Sequence, residues 1–199
     1  MKMGKLEKIF VNSEKHARGN ITIIKRVFNH LNIDSVREVL EIGCGTGNLS
    51  HHLADKYHWH VTGSDVDPEQ IQVAKFYYGE NKNLHFQVAE ATAIPLASHQ
   101  FDMILLFKAL HHIPGWEMVL KEVQRLLLPG GFFIWNDLTF SPMLMPLARL
   151  FSKKYGVYTF EAIGQITMNM SWKTIYTEPP KGFIIRHHTV VFKKPALNA

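Results

Sequence analysis

The sequence predicts an α/β protein: a doubly wound, mostly parallel seven-stranded sheet with helices on both faces and an antiparallel C-terminal strand. Three observations predict it. From about residue 36, short apolar runs alternate with amphipathic stretches, the pattern of successive βα units. The run "FDMILLF" (101–107) is almost continuously apolar, as a central strand covered on both faces should be. The stretch "EIGCGTGN" (41–48) puts a glycine at every second position just where an apolar run stops, so a sharp turn joins a strand to a helix there.

Each element follows from its local pattern. "NITIIKRVFNHL" offers Ile24, Val27, Phe28 and Leu31 on one helical face, with Asn20 as its expected cap. "VREVLEI" (36–42) reads as the first strand. "NLSHHLADKY" spaces Leu49, Leu53 and Tyr57 four apart, a helical stripe. "HWHVTGSD" (58–65) is the second strand, and "PEQIQVAKFYY" (68–78) opens with proline at a first helical position. "LHFQVA" (84–89) alternates Leu84, Phe86 and Val88 as a third strand, and 101–107 is the fourth. "WEMVLKEVQRLLL" aligns Trp116, Val119, Leu120, Val123 and Leu127; "PGG" (129–131) is expected to break that helix before a fifth strand, "FFIWNDL" (132–138). "SWKTIYT" and "FIIRHHTVVF" flank "EPPKG" as an antiparallel pair closing the sheet. The 199 residues suit one domain. Its expected parts are an N-terminal helical cap (1–35), a ligand-binding core (36–138), and a substrate-side helix with the strand pair (139–199).

Composition narrows the classes. Hydrophobic residues make up 46% and charged residues 20%, as in an ordinary globular protein. No apolar run reaches membrane-span length, and "MKMGKLEKIF" lacks the apolar block of a signal peptide. Cys44 is the single cysteine, which excludes an internal disulfide and a cysteine-rich zinc site. A cytoplasmic address is the resulting expectation. The net charge is +5, with lysine and arginine crowding both ends and most acids in the middle. A basic rim attracts anionic partners, although a solvated, solubilising surface is the simpler expectation.

Three glycines at alternate positions call for a ligand approaching the backbone at a strand end, where open α/β sheets bind their ligands. A dinucleotide fingerprint reads G-x-G-x-x-G, but here Gly43 and Gly45 are followed by Gly47 one position early and Asn48 at the sixth position. Glu41 lies two residues ahead of the loop. Beside a pyrophosphate it would repel; beside an ammonium and a sulfonium it is complementary. Asp65, about 20 residues beyond the first glycine, suits ribose hydroxyls. Val66 follows and can lie against a base, and Glu90 can accept from an exocyclic amine. Asp67 competes for the ribose, but its place before Pro68 suits a helix cap. The set favours a cationic, amino-acid-bearing nucleoside over NAD.

At this point the sequence resembles the class I S-adenosylmethionine-dependent methyltransferases, most of all the small ones named for ubiquinone/menaquinone-biosynthesis C-methylation. The resemblance covers roughly 36–138 and rests on "VLEIGCGTGNLS", "VTGSDVDPEQIQVAK", "AEATAIPLASHQFDMILLFKALHHI" and "LLLPGGFFIWND". It implies a Rossmann-like fold with S-adenosylmethionine as cofactor and S-adenosylhomocysteine as product. It places Gly43, Gly45 and Gly47 under the methionine part and Glu41 toward its amino group. It gives Asp65 the ribose, Val66 the adenine ring, Glu90 with Ala91 the adenine edge, and Phe107 the methionyl group. The family usually carries aspartate where this chain has Glu90.

A sulfonium is already an activated methyl donor, so alignment and water exclusion dominate and few dedicated catalytic residues are expected. The candidates are His111 and His112 in "LHHI", after the fourth strand, since imidazole titrates in the useful range. The plain alternative has one histidine packed and the other solvated. No histidine has partners at metal-site spacing, so no metal is expected. "SPMLMPLARLFSKKYGVYTF" is read as a helix packed on the sheet; a lid or a membrane contact is its second reading. Methyltransferases acting on exocyclic amines of nucleic acid resemble one another in an Asn/Asp-Pro-Pro-aromatic motif where this chain has "FKALHH", so nucleic acid is not expected. The expected partner is a small, apolar or amphiphilic acceptor. The competing readings are a non-catalytic S-adenosylmethionine-binding module and, disfavoured by Gly47 and Glu41, an NAD(P)-dependent oxidoreductase.

Overall fold

In β1 (Glu38–Ile42) the side chains alternate between two apolar layers: Leu40 and Ile42 join one, Val39 the other. The same division splits Ile104 and Leu106 from Met103 and Leu105 in β4 (Phe101–Phe107). A sheet buried on both faces follows directly from that period of two. The protein, seen in a computed structural model, is described over residues 14–148, 150, 154–182 and 185–196. Its remaining strands are β2 (His60–Asp65), β3 (Leu84–Val88), β5 (Leu127–Phe140), β6 (Lys173–Thr177) and β7 (Ile185–Lys193).

The strands lie in the order β3-β2-β1-β4-β5-β7-β6. The first five are mutually parallel, and β7 runs antiparallel to both β5 and β6. The order reverses at β1, with β2 on one side and β4 on the other. There the carboxyl ends of the strands open a crevice.

Helices α1 (Glu14–Phe28), α2 (Asn48–Tyr57) and α3 (Pro68–Tyr78) cover one face, contributing Ile24, Val27, Leu49, Leu53, Ile71 and Ala74 to its core. Helices α4 (Trp116–Leu126) and α6 (Phe160–Asn169) cover the other with Val119, Leu120, Val123 and Ile163. A short α5 (Met145–Ala148) precedes α6. Proline opens α3 as expected, and Asp67 caps it by accepting from the Glu69 N–H at 3.0 Å.

Several expectations change. Asn20 is no cap, because it lies in the interior of α1. Leu127 belongs to β5, paired with Phe101, rather than to α4. Pro129 keeps Leu128 out of helical geometry, so the helix stops early and the strand begins ahead of the glycines. Gly130 takes φ +80 where the β4–β5 register shifts. Val88 is half exposed, because β3 is the free edge of the sheet. Helix α6 was not foreseen; Thr159 caps it by accepting from the Ala162 N–H. Of the expected packed helix after β5 the described residues hold α5, while residues 149 and 151–153 of that stretch lie outside them; Met143, Leu147 and Leu150 face solvent.

Candidate functional site

The turn after β1 is held from both sides. Gly43 and Cys44 donate their N–H groups to the Ser64 carbonyl at 2.8 and 3.0 Å, tying the loop to the end of β2. All three glycines take left-handed φ: +75 at Gly43, +53 at Gly45 and +78 at Gly47. Their tasks differ. A Cβ on Gly43 would sit 2.6 Å from the Ala109 Cβ, so this glycine admits the loop after β4. A Cβ on Gly47 would strike the Phe86 ring at 2.5 Å, so Gly47 lets α2 close onto β3. At Gly45 nothing lies within 4 Å of that position, which opens onto a cavity.

The cavity has a volume of about 420 Å³ and lies over the carboxyl ends of β1, β2 and β4, a size suited to a small-molecule ligand. Glu41, Gly43, Gly45, Asp65, Val66, Glu90, Ala91 and Phe107 all line it, as does His112. Of the residues singled out from sequence, Gly47 and His111 are not in its wall.

Acids dominate one side. Glu41 is 3% exposed, and the Ser50 hydroxyl donates to its Oε2 at 2.5 Å. Burial pushes its carboxyl up to about 8, with the Asp65 charge adding to the rise and Ser50 opposing it. Asp65 accepts the Gly45 N–H on Oδ2 and the Asp67 N–H on Oδ1, both at 2.9 Å. Burial raises its pKa, while those N–H groups hold it down. The residue read as a ribose holder therefore also shapes the glycine loop, and each oxygen keeps a lone pair for a ligand.

The other side was only partly read from sequence. Lys108, directly after β4, takes φ +54 and donates its N–H to the Asn136 carbonyl at 2.7 Å. Its ammonium donates to Asn20 Oδ1 of α1 at 2.9 Å, so both residues enter the cavity wall. Burial lowers the Lys108 pKa and the Asp137 charge raises it. Asp137, fully buried at the end of β5, accepts the Leu110 N–H at 2.7 Å and meets His111 Nδ1 at 2.5 Å. It thereby fixes the short 3-10 turn Leu110–His112. The rings of His111 and His112 lie 3.9 Å apart between centroids, and His112 is the one that faces the cavity. Burial first, then the Asp137 charge, holds the nearby Tyr158 hydroxyl well above its usual pKa. A lysine ending an apolar strand and an aspartate ending the next were the available signals for these two groups.

Residues 39–131 match the family described as a methyltransferase domain. An O-methyltransferase of Penicillium expansum is 31% identical over 122 residues, 57% of this chain and 44% of that protein. A demethylmenaquinone methyltransferase of Staphylococcus haemolyticus is 26% identical over 144 residues, 71% of this chain and 59% of that protein. The chain thus spans roughly half the length of these curated relatives. Among solved structures, a phosphoethanolamine N-methyltransferase of Haemonchus contortus in complex with S-adenosyl-L-methionine superimposes with a TM-score of 0.72 at 14% identity. The superposition covers 89% of this chain and 52% of that one.

Proposed function

We propose that this chain, whose residues 39–131 match a methyltransferase domain, belongs with the class I S-adenosylmethionine-dependent methyltransferases and transfers a methyl group to a small-molecule acceptor. The observation that carries the reading is the acid-walled cavity beneath the open backbone of Gly45. A buried carboxyl held up to about 8 gains most from a cationic neighbour. An ammonium-bearing nucleoside supplies one, and a dinucleotide pyrophosphate does the opposite. The space at Gly45, which any side chain would fill, fits the same ligand.

S-adenosylmethionine, when bound, supplies a methyl group already activated on sulfur. In this reading Glu41 receives the amino group and the Gly43–Gly45 backbone accommodates the amino-acid part. Asp65 accepts from the ribose, Val66 lies against the base, Glu90 and Ala91 border its edge, and Phe107 closes the methionyl end. Gly47 serves indirectly by packing α2 against Phe86. Asn20 and Lys108 close the acceptor side from α1 and β4. His112 faces the cavity and is the group placed to take a proton from an acceptor; His111, held by Asp137, orients the turn that presents it. Alignment and exclusion of water supply most of the acceleration.

A thermal-shift comparison tests the cofactor. A ligand at a hundred times its Kd adds about 2.7 kcal/mol of stability, so S-adenosylhomocysteine should raise the melting temperature and NADH should not. Methyl-labelled donor offered with a metabolite pool then tests turnover. Tight binding without any labelled product would make the protein a binding module instead.

A further inference from the structure

Between Phe140 and Tyr158 the chain leaves the sheet and returns. The Phe140 N–H donates to the Tyr158 carbonyl at 3.0 Å, and the Gly156 N–H donates to the His111 carbonyl at 3.0 Å. The excursion starts at the carboxyl end of β5, the edge of the sheet at which the cavity opens. Within it, Met143 is 80% exposed, Leu147 62% and Leu150 75%. Met143 lies in the 3-10 turn Pro142–Leu144 and Leu147, four residues on, in α5. Large apolar groups gathered in this way mark a contact surface rather than scatter. The same stretch is one-signed in charge: from Leu138 to Phe160 the sequence holds Arg149, Lys153 and Lys154 and no aspartate or glutamate.

Charge selects the occupant. A second copy of this chain would bring basic residues against basic residues across a self-complementary contact, which is repulsive. An apolar ridge on a stretch whose charged residues are all cations in the sequence is complementary to a bilayer bearing anionic headgroups. No helix among the described residues is long and apolar enough to cross a membrane, so the contact is peripheral.

We propose that Met143, Leu147 and Leu150 dip into an anionic phospholipid surface, with Lys154 at the headgroups, and seat the cavity mouth against the bilayer. Resting on the methyl-transfer reading, this makes the acceptor a lipophilic molecule that enters from the membrane rather than from water.

The test is co-sedimentation with vesicles of phosphatidylglycerol mixed into phosphatidylcholine, against vesicles of phosphatidylcholine alone. The native protein should partition at least tenfold more strongly onto the anionic vesicles. The triple variant Met143→Ser, Leu147→Ser, Leu150→Ser should lose that partition about tenfold while binding S-adenosylhomocysteine as the native protein does. No partition of the native protein onto anionic vesicles, or equal partition of the variant, would overturn the proposal. So would sedimentation velocity showing a lipid-free dimer that the triple variant abolishes, because a second copy would then cover the ridge. Failure of the methyl-transfer reading would appear separately, as absence of S-adenosylhomocysteine binding with vesicle binding intact.

Discussion

The Asp137 carboxylate meets His111 Nδ1 at 2.5 Å while its other oxygen takes the Leu110 N–H at 2.7 Å, so one buried acid sets both the turn after β4 and the ring within it. With Nδ1 against Asp137, Nε2 is the ring nitrogen turned away from that carboxylate. Asp137→Asn should keep the fold and bind S-adenosylhomocysteine within about threefold of native, since the cofactor contacts lie elsewhere. Turnover should fall roughly a hundredfold as the turn and tautomer lose definition. Nitrogen NMR of the histidines, together with a pH–rate profile, checks this. An unchanged His111 tautomer and rate would remove Asp137 from any positioning role.

Glu41 makes the protein sensitive to pH in two linked ways. Its carboxyl titrates near 8 when folded, against a usual 4.5. Between those values the folded protein holds a proton that the unfolded chain has released, so stability declines as pH climbs through the window. Binding an ammonium favours the carboxylate, so S-adenosylhomocysteine should expel a proton at pH 6–7 and bind more tightly as pH approaches 8. Calorimetry in buffers of different ionisation heat reads the proton directly. Glu41→Gln should abolish the release and flatten both dependences.

Gly45 and Gly47 separate recognition from packing. The Cβ of Gly45→Val would meet no protein atom within 4 Å beyond its chain neighbours, though the positive φ costs about 1–2 kcal/mol. The variant should fold and no longer bind S-adenosylhomocysteine. Gly47→Ala drives a methyl into the Phe86 ring, and overpacking of that kind costs roughly 1–3 kcal/mol beyond the backbone strain. Its midpoint in urea should drop, with ligand affinity falling only as the fold does.

Lys194 closes the far end of the sheet. Its ammonium donates to the Gln124 and Leu127 carbonyls at 2.6 and 2.7 Å, at the end of α4, and the residue is 7% exposed. A cation there satisfies carbonyls that the helix leaves open and complements its dipole. Lys194→Met should destabilise by about 1.5–3 kcal/mol, measured by urea titration, without altering cofactor affinity.

Elements defined by nearby residues were legible in the sequence. The period of β1 and β4, the proline and aspartate opening α3, and the glycine turn all depend on neighbours a few positions away, and each was found. So was the acid set of Glu41, Asp65 and Glu90, because consecutive parallel strands bring their ends to one edge. Helix α6 escaped because Gly164 and Thr167 thin its apolar stripe. The side of the cavity formed by Lys108 and the Asp137-held turn escaped for a different reason: Asp137 reaches partners 26 and 27 residues away, and Lys108 meets Asn20 across 88. Only the pairing of β4 with β5 and the seating of α1 join those positions.

The insertion of β7 between β5 and β6 sets the order in which the molecule can be completed. While a nascent chain is being made, the outer edge of β5 offers unsatisfied backbone groups until residues 185–193 have left the ribosome. The preceding residues can collapse earlier, but the sheet closes only once β7 has been made. A pause in translation before that point would expose a sticky ribbon at the middle of the protein, open to pairing with another unfinished chain.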